Sequence, residues 1–300
     1  MININKVNSG KYFTLVKPEN LFSPLIVSSP HSGRYYDKKF LEITGNRKKL
    51  YNQIEDMYVD ELVEDFHKYG STLLSTKVSR AVIDLNRDEN EIDTDLVKNL
   101  PKKKFYKSIY VKSGIGLFPK LAADYSELYV KDFLWKEAEL RINKYYKPWH
   151  FQLRSSIKNI RSKFNFCLLM DYHSMPSNSQ NKITNKNQII IGNNYGKSCN
   201  ETLTNFVKNS FMDKGYNVAI NEPYAGGYIT RNYSNLDQNI NTLQIEICRS
   251  LYMSENTFKK NSNFLNLKNN LNLIMQDILE YINDCINNKN IAAEVIWINY

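Results

Sequence analysis

The chain has 300 residues, with 40 lysines and arginines against 31 acids, a formal net charge of +9, and 42% hydrophobic and 13% aromatic residues. That length allows one large or two small domains, each with a sizeable core, and a 24% charged share is ordinary for a globular protein. Its longest apolar runs, such as Phe166 to Met170, fall far short of the ~18 residues of a membrane span, so none is expected.

Taken in order, Pro24 to Ser29 reads as a first buried strand, ended by the turn Pro30-His31-Ser32-Gly33. Asn52 to His67 is predicted as one helix, with Asn52 as cap, Glu55 at capping-box spacing and Gly70 closing it. Asp56 then falls in its first turn, on the face of Val59, Val63 and His67. Thr72–Thr76 is a second strand, and Arg80 to Arg87 a third, with Arg80, Val82, Asp84 and Asn86 on one face. Asp88 to Lys104 is a polar excursion, and Ser126 to Lys163 is helical, with Pro148 breaking it.

Asn165 to Pro176 is the central stretch. Phe166 to Met170 is apolar throughout, as in a strand buried on both faces. Asp171 and His173 follow two residues apart, which in a strand puts both on one face, before Ser174 and Pro176 end it. Ser177 to Asn187 reads as a mobile loop, Gln188 to Ile191 as a strand, Glu201 to Asp213 as a helix with Gly215 behind it, and Tyr216 to Ile220 as a strand. Pro223 to Tyr228 is a glycine-containing turn. Thr242 to Ile247 is the last strong strand, with Gln244 and Glu246 opposite Leu243, Ile245 and Ile247, and Asn263 to Asn287 is an amphipathic helix. Strands alternating with helices predict an α/β fold with a mixed, mostly parallel β-sheet flanked by helices. No repeat or linker appears, so residues 1–300 read as a single domain.

Met1 to Lys6 lacks an apolar core of signal-peptide length, and the expectation is a cytoplasmic chain. The four cysteines, Cys167, Cys199, Cys248 and Cys285, show no paired spacing, and Cys167 and Cys248 read as small core residues. The basic balance could attract nucleic acid or anionic substrates. Basic residues are spread out, with Lys102-Lys103-Lys104 the lone lysine triplet, and there is no zinc-finger spacing, so no nucleic-acid partner is expected.

Of the four histidines, His31 and His173 sit just past apolar strands, while His67 and His150 read mainly as structural, with His150 the likelier of the two to approach a site. Imidazole is the commonest ligand for zinc, and a catalytic zinc typically takes three protein ligands, so His31 and His173 are two candidates; both could equally cap strand ends. The third ligand would be a carboxylate or another histidine, with Asp56 and Asp60 in reach, although acids near a helix N-terminus need no metal. Asp84 and Asp171 are acids in or beside apolar strands, where a carboxylate needs a partner: an outer bond to a ligating histidine, or an ion pair with Arg80 or Arg87. Glu246 inside a strand could serve as a general base, or could mark an edge strand with one wet face. Arg80 and Arg87 could hold a carboxylate and an oxyanion.

Six segments together resemble one family, the N-formylglutamate amidohydrolases. They are Ser28 to Gly33, Glu55 to Leu62, Val82 to Arg87, Asp171 to Pro176, Asn221 to Tyr228 and Gln244 to Met253, in family order over most of the chain. The resemblance implies a fold like the zinc carboxypeptidase and aspartoacylase group, with one Zn2+ per chain held by His31, Asp56 and His173. It also implies Glu246 as general base, Arg80 on the oxyanion side, Asn86-Arg87 on the substrate α-carboxylate, and Asp84 and Asp171 behind the ligands. Ser174, Gly226 and Gly227 would line the substrate. The carboxypeptidase pattern has Glu three residues after the first His, and Arg34 stands there instead; Asp56 takes that role, with Asp60 and Glu55 as alternatives. The implied reaction is hydrolysis of the N-formyl or short N-acyl amide of an acidic amino acid, a small anionic substrate, by a monomer or small homo-oligomer. Deacylation of another N-acyl amino acid, carboxypeptidase-like cleavage, and a non-catalytic basic binding protein with a relic site are the alternatives.

Overall fold

The computed structural model describes residues 6–18, 23–177 and 187–287. The expected Ser177–Asn187 loop and the N-terminal Met1–Lys6 stretch fall largely outside them. Eight strands form one sheet: β1 (Lys6–Ser9), β2 (Phe13–Lys17), β3 (Leu25–Ser29), β4 (Thr72–Thr76), β5 (Cys167–Met175), β6 (Ile189–Gly192), β7 (Val218–Ile220) and β8 (Ile240–Cys248), in the order β1-β2-β4-β3-β5-β8-β6-β7. The four central strands β4, β3, β5 and β8 run parallel. Antiparallel pairing occurs where β2 meets β1 and β4, and where β6 meets β8. The expected mixed, mostly parallel α/β sheet is therefore present.

Helices cover both faces. On one side Val59–Val63, Glu201–Asp213 and Phe264–Asn287 pack on Leu168, Met170, Tyr172, Leu243, Ile245 and Ile247. On the other, the long helix ending at Phe164 packs on Ile26, Leu74, Cys167 and Leu169. A strand buried on both faces must be apolar on both, which is why the Phe166–Met170 run sits at the centre. On the second face the apolar series stops at Leu169. Its next positions are Asp171 and His173 on β5, and the parallel register places Gln244 opposite Asp171 and Glu246 opposite His173. The site is built where that face turns polar, at the carboxyl ends of the central strands.

Three local expectations are corrected. The predicted Asn52–His67 helix is two pieces: a helix at Lys48–Ile54 and, after a break at Glu55 to Tyr58, Val59–Val63 continuing as a 3-10 turn to Tyr69. Tyr58 adopts φ 68° at the break, while Gly70, at φ 87°, does close the second piece. Arg80–Arg87 is not a strand but a run of turns: the N–H groups of Val82 and Ile83 donate back to the Ser79 carbonyl, and Asp84 Oδ1 accepts from the Asn86 N–H. Its polar side chains bond their own backbone, which competes with a ladder. Pro148 does not break the long helix, which starts at Trp135. The chain widens to a π-turn at Ile142–Tyr146 just before it, which makes room for the Pro148 ring, and the helix runs on through Lys147–Phe164.

No helix among the described residues is long and apolar enough to cross a membrane. All four cysteines are free and buried.

Candidate active site

Three buried side chains converge: His31 from the turn after β3, His173 from β5 and Asp56 from the helix break. The Asp56 N–H donates to the His31 carbonyl, which pins the break against that turn. A continuous helix would have kept Asp56 on its own face; the interruption lets it reach the sheet. Asp56 Oδ2 lies 3.4 Å from His31 Nδ1 and 3.0 Å from His173 Nδ1.

Each imidazole is backed by a second carboxylate on its far nitrogen. His31 Nε2 is 2.6 Å from Asp84 Oδ1, and His173 Nε2 is 2.8 Å from Asp171 Oδ2. An acid on Nε2 fixes the proton there and presents the Nδ1 lone pair to the centre. His31 Nδ1 is buried and makes no hydrogen bond. A buried polar atom left unpaired beside a carboxylate and a second imidazole is what a cation would satisfy, so the two imidazoles and one carboxylate fit a metal ion. Among the described residues this is the one such group.

The outer partners are themselves held. Asp84 Oδ2 takes Arg80 Nη2 at 2.6 Å, and Asp171 Oδ1 accepts from Ser28 Oγ at 2.5 Å. Arg249 ties Asp56: Nη2 reaches Asp56 Oδ1 at 3.3 Å, Nη1 donates to Gln53 O at 2.7 Å, and Nε donates to Ser174 Oγ, which itself donates to Asp56 Oδ1 at 3.1 Å.

Electrostatics follow from this packing. Burial opposes ionisation of Asp56, but contacts from His173 and His31 outweigh it and hold the carboxyl well below its usual range. Burial likewise opposes the charge on Asp84, and Arg80 with His31 pulls it well below 3.8. For His173, burial disfavours the cation, and Asp171 more than offsets that, raising it well above 6.5. Glu246 goes the other way: burial, reinforced by the neighbouring Asp56 charge and only partly offset by His173, pushes it to about 7.

Glu246 is 8% exposed on a strand flanked by β5 and β6, so the wet-edge explanation for an acid there does not hold. Gln244 Nε2 donates to Glu246 Oε1 at 2.8 Å, while Gln244 Oε1 accepts from the Gly227 N–H at 2.7 Å. This links the acid to the glycine turn. Gly227 has no room for a side chain, since a Cβ would stand 2.3 Å from Asn86 Nδ2. Asn86 Oδ1 accepts from Ile229 N–H, and its Nδ2 faces Asp171 and His173 at 3.4 and 3.1 Å.

The cleft above these groups has a volume of about 450 Å³. His31, Asp56, Arg80, Asn86, Arg87, His173, Ser174, Gly226, Gly227 and Glu246 all line it, and Asp84 and Asp171 lie beneath. Its lining holds three arginines and no lysine. Arg80 and Arg249 are engaged by Asp84 and Asp56. Among the described residues Arg87's side chain hydrogen-bonds only the carbonyls of Ile115 and Asn86, and burial lowers its pKa.

The other acids weighed from the sequence lie apart. Glu55 accepts from Tyr36 Oη at 2.6 Å and from Ser79 Oγ, and Asp60 faces Arg34 at 3.7 Å. His150 is buried against Tyr146 and Tyr233, where burial lowers it to about 3, and it does not line the cleft; His67 contacts the Glu64 carbonyl. Arg249, Ser28 and Tyr110 were not singled out from the sequence. Arg249 follows the last strand directly and Ser28 sits at a strand end, so both carried a positional signal; Tyr110, beyond the Asp88–Lys104 excursion and outside every predicted element, carried none.

The chain is similar to known proteins over most of its length. The N-formylglutamate amidohydrolase family matches residues 23–253. N-formylglutamate deformylase from Pseudomonas putida is 27% identical over 238 residues, covering 77% of this chain and 82% of that protein; its Pseudomonas aeruginosa counterpart is 25% identical, covering 77% and 83%. The crystal structure of N-formylglutamate amidohydrolase from Ralstonia eutropha superposes with a TM-score of 0.86 at 30% identity, over 91% of this chain and 98% of that one. A gene product of Agrobacterium tumefaciens shares the fold at a TM-score of 0.65 and 17% identity, over 91% and 97%. With the family match spanning most of the chain and His31, Asp56, Arg87, His173, Glu246 and Arg249 from five of the six segments gathered in one cleft, this protein belongs to the N-formylglutamate amidohydrolase family, hydrolases of an amide bond.

Proposed function

We propose that the protein is a zinc-dependent amidohydrolase converting N-formyl-L-glutamate and water to formate and L-glutamate. The observation that carries this reading is the meeting of His31 Nδ1, His173 Nδ1 and Asp56 Oδ2 beneath a cleft that also holds Glu246 and the acid-free Arg87. Two imidazole nitrogens and one carboxylate oxygen suit zinc with a position left open, and zinc there would polarise the amide carbonyl and acidify a water. The names of the relatives support the formylglutamate substrate.

The chain's own groups divide the remaining work. Glu246 is poised near neutrality, accepts the proton of the attacking water and returns it to the leaving nitrogen. Arg80, held by Asp84 and the Ile54 carbonyl, stabilises charge on the former carbonyl oxygen. Arg87 takes the α-carboxylate, the acid partner it lacks among the described residues, with Asn86 beside it. Ser174 steadies Asp56 at the substrate wall, and Gly226 and Gly227 admit the substrate close to the backbone. The same reading makes it a cytoplasmic, single-domain enzyme, monomeric or a small homo-oligomer, whose basic surface suits a dianionic substrate.

The test pairs metal content by mass spectrometry with formate release from N-formylglutamate, for wild type and Glu246→Gln. About one zinc per chain in both, with release lost only in the variant, is the expected result. Zinc without release from wild type would move the substrate to another N-acyl amino acid; no zinc uptake would end the metalloenzyme reading.

A further inference from the structure

A dicarboxylate substrate needs a second cation, and no arginine lining the cleft is left for it once Arg87 has taken the α-carboxylate. Tyr110, in the short helix Ile109–Lys112, lines the cleft and carries two guanidinium groups on its ring: Arg87 at 4.1 Å and Arg231 at 5.9 Å from the centroid. Both distances are within the range of a cation–π contact. The two cations are therefore no more than about 10 Å apart. Arg231 is exposed, and its guanidinium donates to the carbonyl of Gly226, a cleft residue, at 2.9 Å. Among the described residues no carboxylate lies within ion-pair distance of either arginine. Like charges so placed repel, and an anion bridging them relieves the repulsion.

We infer that Arg231 reads the side-chain carboxylate of the substrate, with Tyr110 setting its spacing from Arg87. The carboxyl carbons of an extended glutamate are about 5 Å apart, and a charge-assisted hydrogen bond adds about 3 Å at each end. An extended five-carbon amino diacid therefore reaches about 11 Å, and a bent one bridges the pair. The role rests on the amidohydrolase reading above and assigns that site its preference for an acidic side chain.

The test compares formate release from N-formyl-L-glutamate and N-formyl-L-norvaline, which differs by a methyl in place of the distal carboxylate. Wild type is expected to favour the glutamate derivative. Arg231→Gln should lower that ratio of kcat/KM at least tenfold, chiefly through KM, and Arg231→Lys should restore part of it. An unchanged ratio, or an equal fall on both substrates as a merely structural arginine would give, overturns the assignment. If wild type releases formate from neither substrate, the deformylase reading fails and this role fails with it; release by wild type with an unchanged ratio in Arg231→Gln removes only the role of Arg231.

Discussion

Three acids within six residues, Glu55, Asp56 and Asp60, have three different environments. Glu55 is tied to Tyr36 and Ser79, Asp60 faces Arg34, and only Asp56 meets the histidines. Sequence spacing could not separate them, because the choice depends on a left-handed Tyr58 that no periodicity marks. His31, His173, Asp84, Asp171 and Glu246 were legible, since polar groups inside apolar runs stand out. Glu246 also makes a prediction about stability. Its folded carboxyl is raised to about 7 from 4.5, so in metal-free protein the folded state binds the extra proton. Stability then falls as pH rises from about 4.5 through 7. Glu246→Gln, which can still accept from Gln244, should remove that slope and stabilise the metal-free chain by on the order of 2–3 kcal/mol at pH 8 and little at pH 4. Urea melts at the two pH values check this; equal shifts at both would contradict it. Asp171→Asn weakens the anionic support of His173 and should lower zinc affinity about 10–100-fold, read by competition with a chelator.

At the scale of elements, amphipathic pattern and strand runs were sufficient for β3, β4, β5, β8 and the helices Glu201–Asp213 and Phe264–Asn287. They were insufficient where backbone follows side-chain bonds instead of periodicity. Arg80 and Asp84 pair at a four-residue spacing that a strand cannot bring together, and the Asp84 carboxylate is divided among Arg80, His31 and the Asn86 N–H. A strand there would have pointed these groups correctly for the wrong reason. The glycine turn is equally constrained by contact. Gly227→Ala would drive its methyl into the Asn86 amide and push the turn away from Gln244. We expect a loss of about 1–3 kcal/mol of stability together with a rise in KM. Thermal melts and steady-state kinetics would show it, and an unchanged KM would mean that the turn does not contact substrate.

For the whole molecule, the sheet explains why so many polar groups share one place. Apolar residues fill both faces of β5 up to Met170, and beyond it one face is given over to Asp171 and His173, in register with Gln244 and Glu246. Parallel pairing was inferable from the alternation of elements, but the register that sets Glu246 beside His173 was not, because it depends on partners distant in sequence. The net charge of +9 acts at this scale too. It should speed encounter with a dianion, so kcat/KM for N-formylglutamate should fall as salt rises from about 0.01 to 0.3 M, while that for a neutral formamide stays flat. The central claim is that His31, Asp56 and His173 hold one metal ion on which hydrolysis depends. Its most direct test is a zinc titration of chelator-treated protein, followed by formate release. The account predicts a linear rise that breaks at one zinc per chain, abolished in Asp56→Ala; full release by the metal-free protein, or a break unchanged in that variant, would contradict it.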